Sequence, residues 1–412
     1  MWEKQAKDYE KGDSSMTLSH DISIIATEKD QCKIYNRHLN KLSSVHVAIY
    51  TYLENAAKTG ITDAIYKDLS GEQIDTLIEY GVLVDDEDTY LKRKFKNTHE
   101  KFEHNLNTAY MYLTMKCNLF CEYCFMASNL GDDKPCLSTA DWKKALEQIK
   151  VAGATSVILT GGEAILHEGF EEIVQHAASL GLHVTVLSNG TLFSEDRLDI
   201  MRYIDSVIIS LDGLIDSRRK GIDEYPVFDN ILNIAEKYPK KVSVRSVISR
   251  GYEKDVKELS AELARHGIPH TKSICIPTNV SEIEKIPDHD KNNDLYESGL
   301  GGHCGAGSNL IALDSLGNIF PCQTLVQPEF KIANILDSDW LDKFTKNDFP
   351  TIINCFDPYN EPECQDCVAI NFCTGGCRSI AYYVYNDLNR RNDFFCGFYR
   401  AAAVKHLKQG TT

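Results

Sequence analysis

From residue 108 the chain settles into a rhythm of short apolar runs and amphipathic stretches. Strands are predicted over 109–114, 156–160, 183–187, 206–210, 241–248 and 270–276. Helices are expected after Ser138, Glu168, Ser194 and Phe228, and across 253–266. Six β/α units in succession predict a parallel sheet, open or partly closed. Folds of this kind build their active sites at the C-terminal ends of the strands. A cysteine-bearing loop, Gly161-Gly162-Glu163, Ser188-Asn189-Gly190 and Leu211-Asp212-Gly213 all fall at such ends.

The first hundred residues have a different pattern. After a polar start, short strands are expected at 22–25 and 32–35, followed by three amphipathic helices. The first runs from Ser44 to about 58, capped by Ser43 or Ser44, with Val47, Ile49, Tyr50 and Leu53 on one side. The second covers 62–69, and the third runs from Ser70 to Gly81, a C′ glycine. Val82-Leu83-Val84, the acidic turn 85–88 and Tyr90-Leu91 read as a β-wing. Residues 1–100 thus suggest a small winged-helix-like module, and 92–107 a charged linker. A β/α unit follows over 101–280, and a cysteine-rich segment over 281–412.

Charge and composition narrow the function. Over 412 residues, 44 Lys and Arg stand against 60 Asp and Glu, a net charge of −16, with no basic stripe. Nucleic acid is therefore not an expected partner. No run of about 18 apolar residues is present, and the first residues lack the apolar core of a signal peptide. A cytoplasmic protein with no membrane span is expected. Disulfides are rare in that compartment, so the 14 cysteines are read as metal ligands or catalytic groups.

Cys117, Cys121 and Cys124 share the loop after the first strand of the repeat. Three thiolates chelate one centre and leave a coordination position free. A structural zinc ion wants a fourth protein ligand, and none is near. A [4Fe–4S] cluster with one open iron suits the spacing better. The plain alternative is a zinc knuckle or a set of reduced, packed thiols. This CxxxCxxC loop, with Tyr123 before its third cysteine, resembles that of the radical S-adenosylmethionine (SAM) superfamily, whose partial (β/α)6 barrel matches the six units. The resemblance implies that SAM chelates the open iron. It also implies that Gly161, Gly162 and Glu163 receive the methionine amino group, although Ala164 replaces the usual proline after the Glu. By the same resemblance Ser188, Asn189 and Ser210 contact the ribose and carboxylate of SAM, and Arg219 (or Arg218) pairs with the carboxylate.

A second cysteine group follows the grammar Cys304-x12-Gly317-x4-Cys322, Cys364-x2-Cys367-x5-Cys373-x3-Cys377 and Cys396. A zinc ribbon would use four of these and leave Cys304, Cys322 and Cys396 idle. The full pattern resembles the SPASM extension of radical SAM enzymes that modify peptides and proteins. That resemblance implies a first auxiliary cluster on Cys304, Cys322 and Cys377, with Cys355 a possible fourth ligand, and a second on Cys364, Cys367, Cys373 and Cys396. Three [4Fe–4S] clusters are then expected. Cys32, Cys136 and Cys275 match no motif and are expected to be packed.

The resemblance implies a maturase of a ribosomally made precursor peptide, in which a 5′-deoxyadenosyl radical abstracts hydrogen from the substrate. The N-terminal module resembles a leader-peptide recognition element, which binds the leader as an added strand. The expected product is a Cys thioether cross-link, with a C–C link as the alternative. Sulfatase-maturase-like oxidation is a weaker reading, because Gln323 stands where those relatives carry an acidic base. A non-enzymatic iron–sulfur scaffold that binds peptides is the remaining alternative. The electron donor would be a flavodoxin- or ferredoxin-like protein.

Overall fold

The computed structural model describes residues 17–19, 21–28, 31–37, 39–59, 69–84, 104–288, 304–353, 356, 358–373 and 375–408. Its N-terminal part contains β1 (Thr17–Leu18), β2 (Ile22–Glu28), β3 (Gln31–Asn36), β4 (Lys41–His46), α1 (Val47–Thr59), α2 (Gly71–Glu79) and β5 (Leu83–Val84). β2, β3 and β4 form an antiparallel meander, and β1 pairs with β5. The stretch expected to open the first helix at Ser44 instead ends β4. Ser43 and Ser44 pair with Ile34 and Lys33, which commits their backbone to a ladder and starts the helix at Val47. α2 begins as expected, with a reciprocal capping box between Ser70 and Gln73, and it ends at Gly81, whose φ is +63°. Of the helix expected over 62–69, all but Leu69 lies outside the described residues, as do the turn and second half of the wing over 85–91.

The remaining strands are β6 (Thr108–Tyr112), β7 (Phe120–Cys121), β8 (Ser156–Thr160), β9 (His183–Ser188), β10 (Ser206–Ser210), β11 (Arg219–Lys220), β12 (Val242–Ile248), β13 (His270–Ile274), β14 (Leu310–Leu313), β15 (Asn318–Phe320) and β16 (Ala333–Asn334). The six expected strands lie side by side in chain order, β6-β8-β9-β10-β12-β13, all parallel. Alternate residues point to opposite faces of a strand. Val157, Leu159, Val184, Val186, Val207 and Ile209 pack on the outer face in one core with α3 (Thr139–Val151), α4 (Phe170–Ser179), α5 (Val227–Lys237) and α6 (Glu253–Arg265). The helix expected after Ser194 is a 3-10 stretch, Glu195–Arg202.

The sheet does not stop at the expected boundary near 281. β14 pairs in parallel with β6, and β15 and β16 add antiparallel strands beyond it. The cysteine-rich segment is therefore rooted in the same sheet. It ends in α7 (Arg378–Tyr385) and α8 (Cys396–Lys408). The N-terminal meander packs on this segment. Ile25, Tyr35 and Leu407 share a small core with Val368 and Phe372, Arg37 pairs with Asp366 at 3.2 Å, and Asn371 donates to the Tyr35 hydroxyl at 2.8 Å.

Candidate active site

The loop leaving β6 carries Cys117, Cys121 and Cys124, and is pinned at both ends. β7 pairs with β11, setting Cys121 opposite Arg219. On the other side, Gly162 N–H donates to Thr114 O at 2.8 Å and Glu163 N–H to Lys116 O at 2.7 Å. A Cβ on Gly161 would lie 2.3 Å from Thr114 O, and one on Gly162 would lie 2.3 Å from Lys116 O. Only glycine lets the two loops approach this closely.

Burial raises the pKa of all three thiols, and the nearby Cys124 adds to it at Cys117 and Cys121. Cys121 is pushed up to about 12. Such thiols stay protonated at neutral pH until a metal takes them. Among the described residues, no three His, Cys, Asp or Glu side chains converge closely enough to hold a single metal ion. The all-sulfur donor set fits an iron–sulfur cluster.

Glu163 is buried, and its carboxylate is already bound within the protein. Ser188 Oγ donates to Oε1 at 2.9 Å and Asn189 N–H to Oε2 at 2.7 Å. Burial raises its pKa to about 7 against these donors. Asn189 Nδ2 donates to Asn118 Oδ1 at 2.9 Å, and Asn118 Nδ2 to Thr191 Oγ1 at 2.9 Å. Gly161, Gly162, Glu163, Ser188 and Asn189 are thus brought together against the cysteine loop. Ser210 is half-buried at the end of β10.

Arg219, expected to pair with the SAM carboxylate, is met here by groups of the protein itself. It is 3 % exposed and is held internally. Its Nε donates to the Tyr123 hydroxyl at 2.7 Å and lies 3.3 Å from Asp216, and its Nη1 donates to Ser210 O at 2.6 Å. Arg218 is also enclosed, 3.0 Å from Asp212 and between the rings of Tyr123 and Tyr252. Both arginines brace the cysteine loop from behind. Asp212 and Asp216 complete this cage, a pairing that the sequence did not indicate. Asp212 sits in a string that reads as an ordinary strand-end turn.

The second group separates into two sets. Cys304, Cys322 and Cys377 lie within electrostatic reach of one another, and burial pushes Cys322 to about 12. Thr324 Oγ1, 3.3 Å from Cys322 Sγ, donates to Ser379 Oγ at 2.7 Å, and Ser379 lies 3.0 Å from Cys377 Sγ. Cys364, Cys367, Cys373 and Cys396 line one cavity with Arg391 and Arg400 at its rim. Those two cations lower the Cys396 pKa against burial, the larger cause. Cys355 lies outside the described residues. Of the unmatched cysteines, Cys32 and Cys275 are buried as expected, whereas Cys136 is exposed. Tyr112 joins the two groups. It packs with Cys124, stands close to Cys322, and its hydroxyl donates to Gln323 O at 2.7 Å.

The radical SAM superfamily model matches residues 111–288. The mycofactocin maturase MftC of Mycobacterium tuberculosis is 24% identical over 327 residues, 69% of this chain and 82% of that protein. The sporulation killing factor maturation protein SkfB of Bacillus subtilis is 35% identical over 106 residues, so this chain spans only 26% of its length. Among solved structures, Streptococcus suis SuiB bound to its precursor peptide SuiA superposes with a TM-score of 0.55 at 18% identity, over 92% of this chain and 99% of that one. This likeness establishes the fold. Members of the superfamily bind SAM and a [4Fe–4S] cluster.

Proposed function

Taking as premise that this chain carries a radical SAM domain, we propose that it is a radical SAM enzyme that modifies a ribosomally made precursor peptide, installing a Cys thioether cross-link. The observation that carries the reading is the joint assembly of the Cys117–Cys121–Cys124 loop, the Gly161-Gly162 contact and the Glu163–Ser188–Asn189 network. The peptide part is supported by the likeness to MftC and to the SuiB–SuiA complex, and by the N-terminal meander, whose β4 edge suits an added strand.

In this reading Cys117, Cys121 and Cys124 hold the cluster that binds SAM. Cys304, Cys322 and Cys377 hold a first auxiliary cluster, and Cys364, Cys367, Cys373 and Cys396 a second. When bound at the first site, a reduced [4Fe–4S] cluster supplies the electron that cleaves SAM to methionine and a carbon-centred radical. The glycine pair keeps the cysteine loop against the β8 turn, so that Cys117, Cys121, Cys124, Gly161 and Gly162 would together hold the cluster and SAM. Glu163 fixes the Ser188–Asn189 turn through its two hydrogen bonds. In a thioether product the carbon would lose a hydrogen atom to the SAM-derived radical and the Cys thiol its proton, and the one remaining electron would pass to an auxiliary cluster held by Cys304, Cys322 and Cys377. These three resemblance-implied ligands, one short of four, are why the thioether is favoured over a C–C link. Gln323, next to Cys322, cannot take a proton, so formylglycine formation is the weaker reading.

The test is anaerobic incubation with dithionite, SAM and the candidate precursor peptide, followed by mass spectrometry. The expected product has lost a pair of hydrogens, and its reacting Cys no longer alkylates with iodoacetamide. A hydrogen-depleted product whose Cys still alkylates would replace the thioether with a C–C link. An unchanged peptide in the presence of SAM cleavage would overturn the peptide reading.

A further inference from the structure

Residues 364–373 present two faces. Cys364, Cys367, Ala369, Ile370 and Cys373 line the cavity of the second auxiliary set, which Cys396 completes. Asp366, Val368, Asn371 and Phe372, interleaved with them in sequence, meet the N-terminal meander instead. The backbone here is two short helical turns, Pro362–Gln365 and Ile370–Cys373, and the link between them. Turns this short are not stable alone, so their order comes from what the two faces bind. α8 has the same double attachment. Its first residue is Cys396, while Val404 and Leu407 near its end pack with Ile25 and Tyr35. Lys33 Nζ also donates to Lys408 O at 3.1 Å.

On the meander side the contact centres on Arg37, which is buried. Its Nη1 donates to Ile22 O at 3.2 Å and to Ser23 Oγ at 2.8 Å, and its Nη2 lies 3.2 Å from Asp366 Oδ1. One guanidinium thus ties β2 to the residue between Cys364 and Cys367. Asn371, two residues before Cys373, donates to the Tyr35 hydroxyl at 2.8 Å and to Arg37 O. That hydroxyl in turn donates to Asn40 Oδ1 at 2.7 Å, in the turn that leads to β4. β4 is the far edge of this three-stranded sheet, the edge suited to an added peptide strand.

We propose that the second auxiliary site is the seat of the peptide-recognition meander: occupancy of Cys364, Cys367, Cys373 and Cys396 orders β2–β4, with Arg37 as the positioning residue between them. Coupling between two sites is reciprocal. A peptide strand that orders the meander would therefore tighten the hold of the four cysteines on their cluster. This role rests on the radical SAM peptide-modifying reading, but its test needs neither peptide nor turnover.

The experiment is hydrogen–deuterium exchange, read by mass spectrometry, on the full-length chain reconstituted anaerobically with iron and sulfide. The native protein is compared with the double variants Cys364→Ser, Cys367→Ser and Cys304→Ser, Cys322→Ser. Amides of residues 22–46 are expected to exchange about tenfold faster in the first variant and at the native rate in the second. Protection of β8, β9 and β10 in the same spectra shows whether each variant keeps its core. Arg37→Gln should bind up to about four fewer irons than the native chain, with Arg37→Lys in between. Added to Cys364→Ser, Cys367→Ser, the Arg37→Gln change should remove no further iron. Native exchange over 22–46 in the first variant, or equal acceleration in both, overturns the proposal. If a cysteine variant loses its core, the iron content of Arg37→Gln decides, and a full complement overturns the proposal. A chain that modifies no precursor yet shows this pattern loses the peptide reading and keeps the coupling.

Discussion

Gly162 stands where an added side chain would meet the Lys116 carbonyl at 2.3 Å and the Cys117 Cβ at 3.0 Å. Neither the carbonyl nor a Cβ can yield without moving the cysteine loop. Gly162→Ala is therefore expected to cost about 1–3 kcal/mol of stability, read by urea unfolding, and to cut 5′-deoxyadenosine formation by a larger factor than it changes iron content. His270 offers a separate test of the packing behind the site. Ser246 Oγ, 2.5 Å from Leu211 O, donates there and accepts from His270 Nε2 at 2.7 Å, while Ser260 lies 2.7 Å from Nδ1. This arrangement suits a neutral ring, and burial, followed by the Lys272 charge, lowers its pKa from 6.5 to about 4. Because the unfolded chain binds the proton more readily, the stability this histidine contributes is full above pH 6.5 and is lost as pH falls towards 4. Chemical unfolding at pH 7.5 and 5 should show a smaller pH loss in His270→Gln than in the native protein.

At the scale of elements, the cysteine loop owes its position to the β7–β11 ladder and to the buried cage behind it. Arg219→Gln leaves Asp216 and Asp212 buried with less positive charge. Breaking such a pair costs about 3–5 kcal/mol, measurable by urea unfolding, and the variant should also retain less iron at the first cysteine group. The six parallel strands were legible because each is a short apolar run between turn signals, and the cysteine spacings foretold which thiols lie near one another. The start of α1 was not. Ser43 and Ser44 look like caps locally, and only their pairing with Ile34 and Lys33 makes them strand. The partnership of β14 with β6, about 200 residues apart in sequence, left no local trace. Nor did the burial of Arg219: residue type marks a cation, but whether it faces ligand or Asp216 is decided by tertiary packing.

Across the whole molecule, the N-terminal meander is tied to the loops of the second cysteine group through Arg37–Asp366, Asn371–Tyr35 and the Tyr35–Phe372 ring contact at 5.8 Å. Deleting residues 1–100 would uncover Val368, Phe372 and Leu407. The truncated protein is expected to keep uncoupled SAM cleavage within a few-fold, to lose precursor binding and to retain less iron at Cys364, Cys367, Cys373 and Cys396. Full precursor binding by the truncated chain would remove the leader-recognition role.

The most direct test of the central claim, that the first cysteine loop and the glycine turn against it form the SAM-cleaving site, compares the anaerobically reconstituted protein with its Cys117→Ala, Cys121→Ala, Cys124→Ala triple variant. Iron content and dithionite-dependent 5′-deoxyadenosine are measured on both. The native protein should hold about twelve irons and cleave SAM, and the variant about eight irons with no cleavage. Cleavage that persists in the variant, or an iron content unchanged by it, would contradict the account.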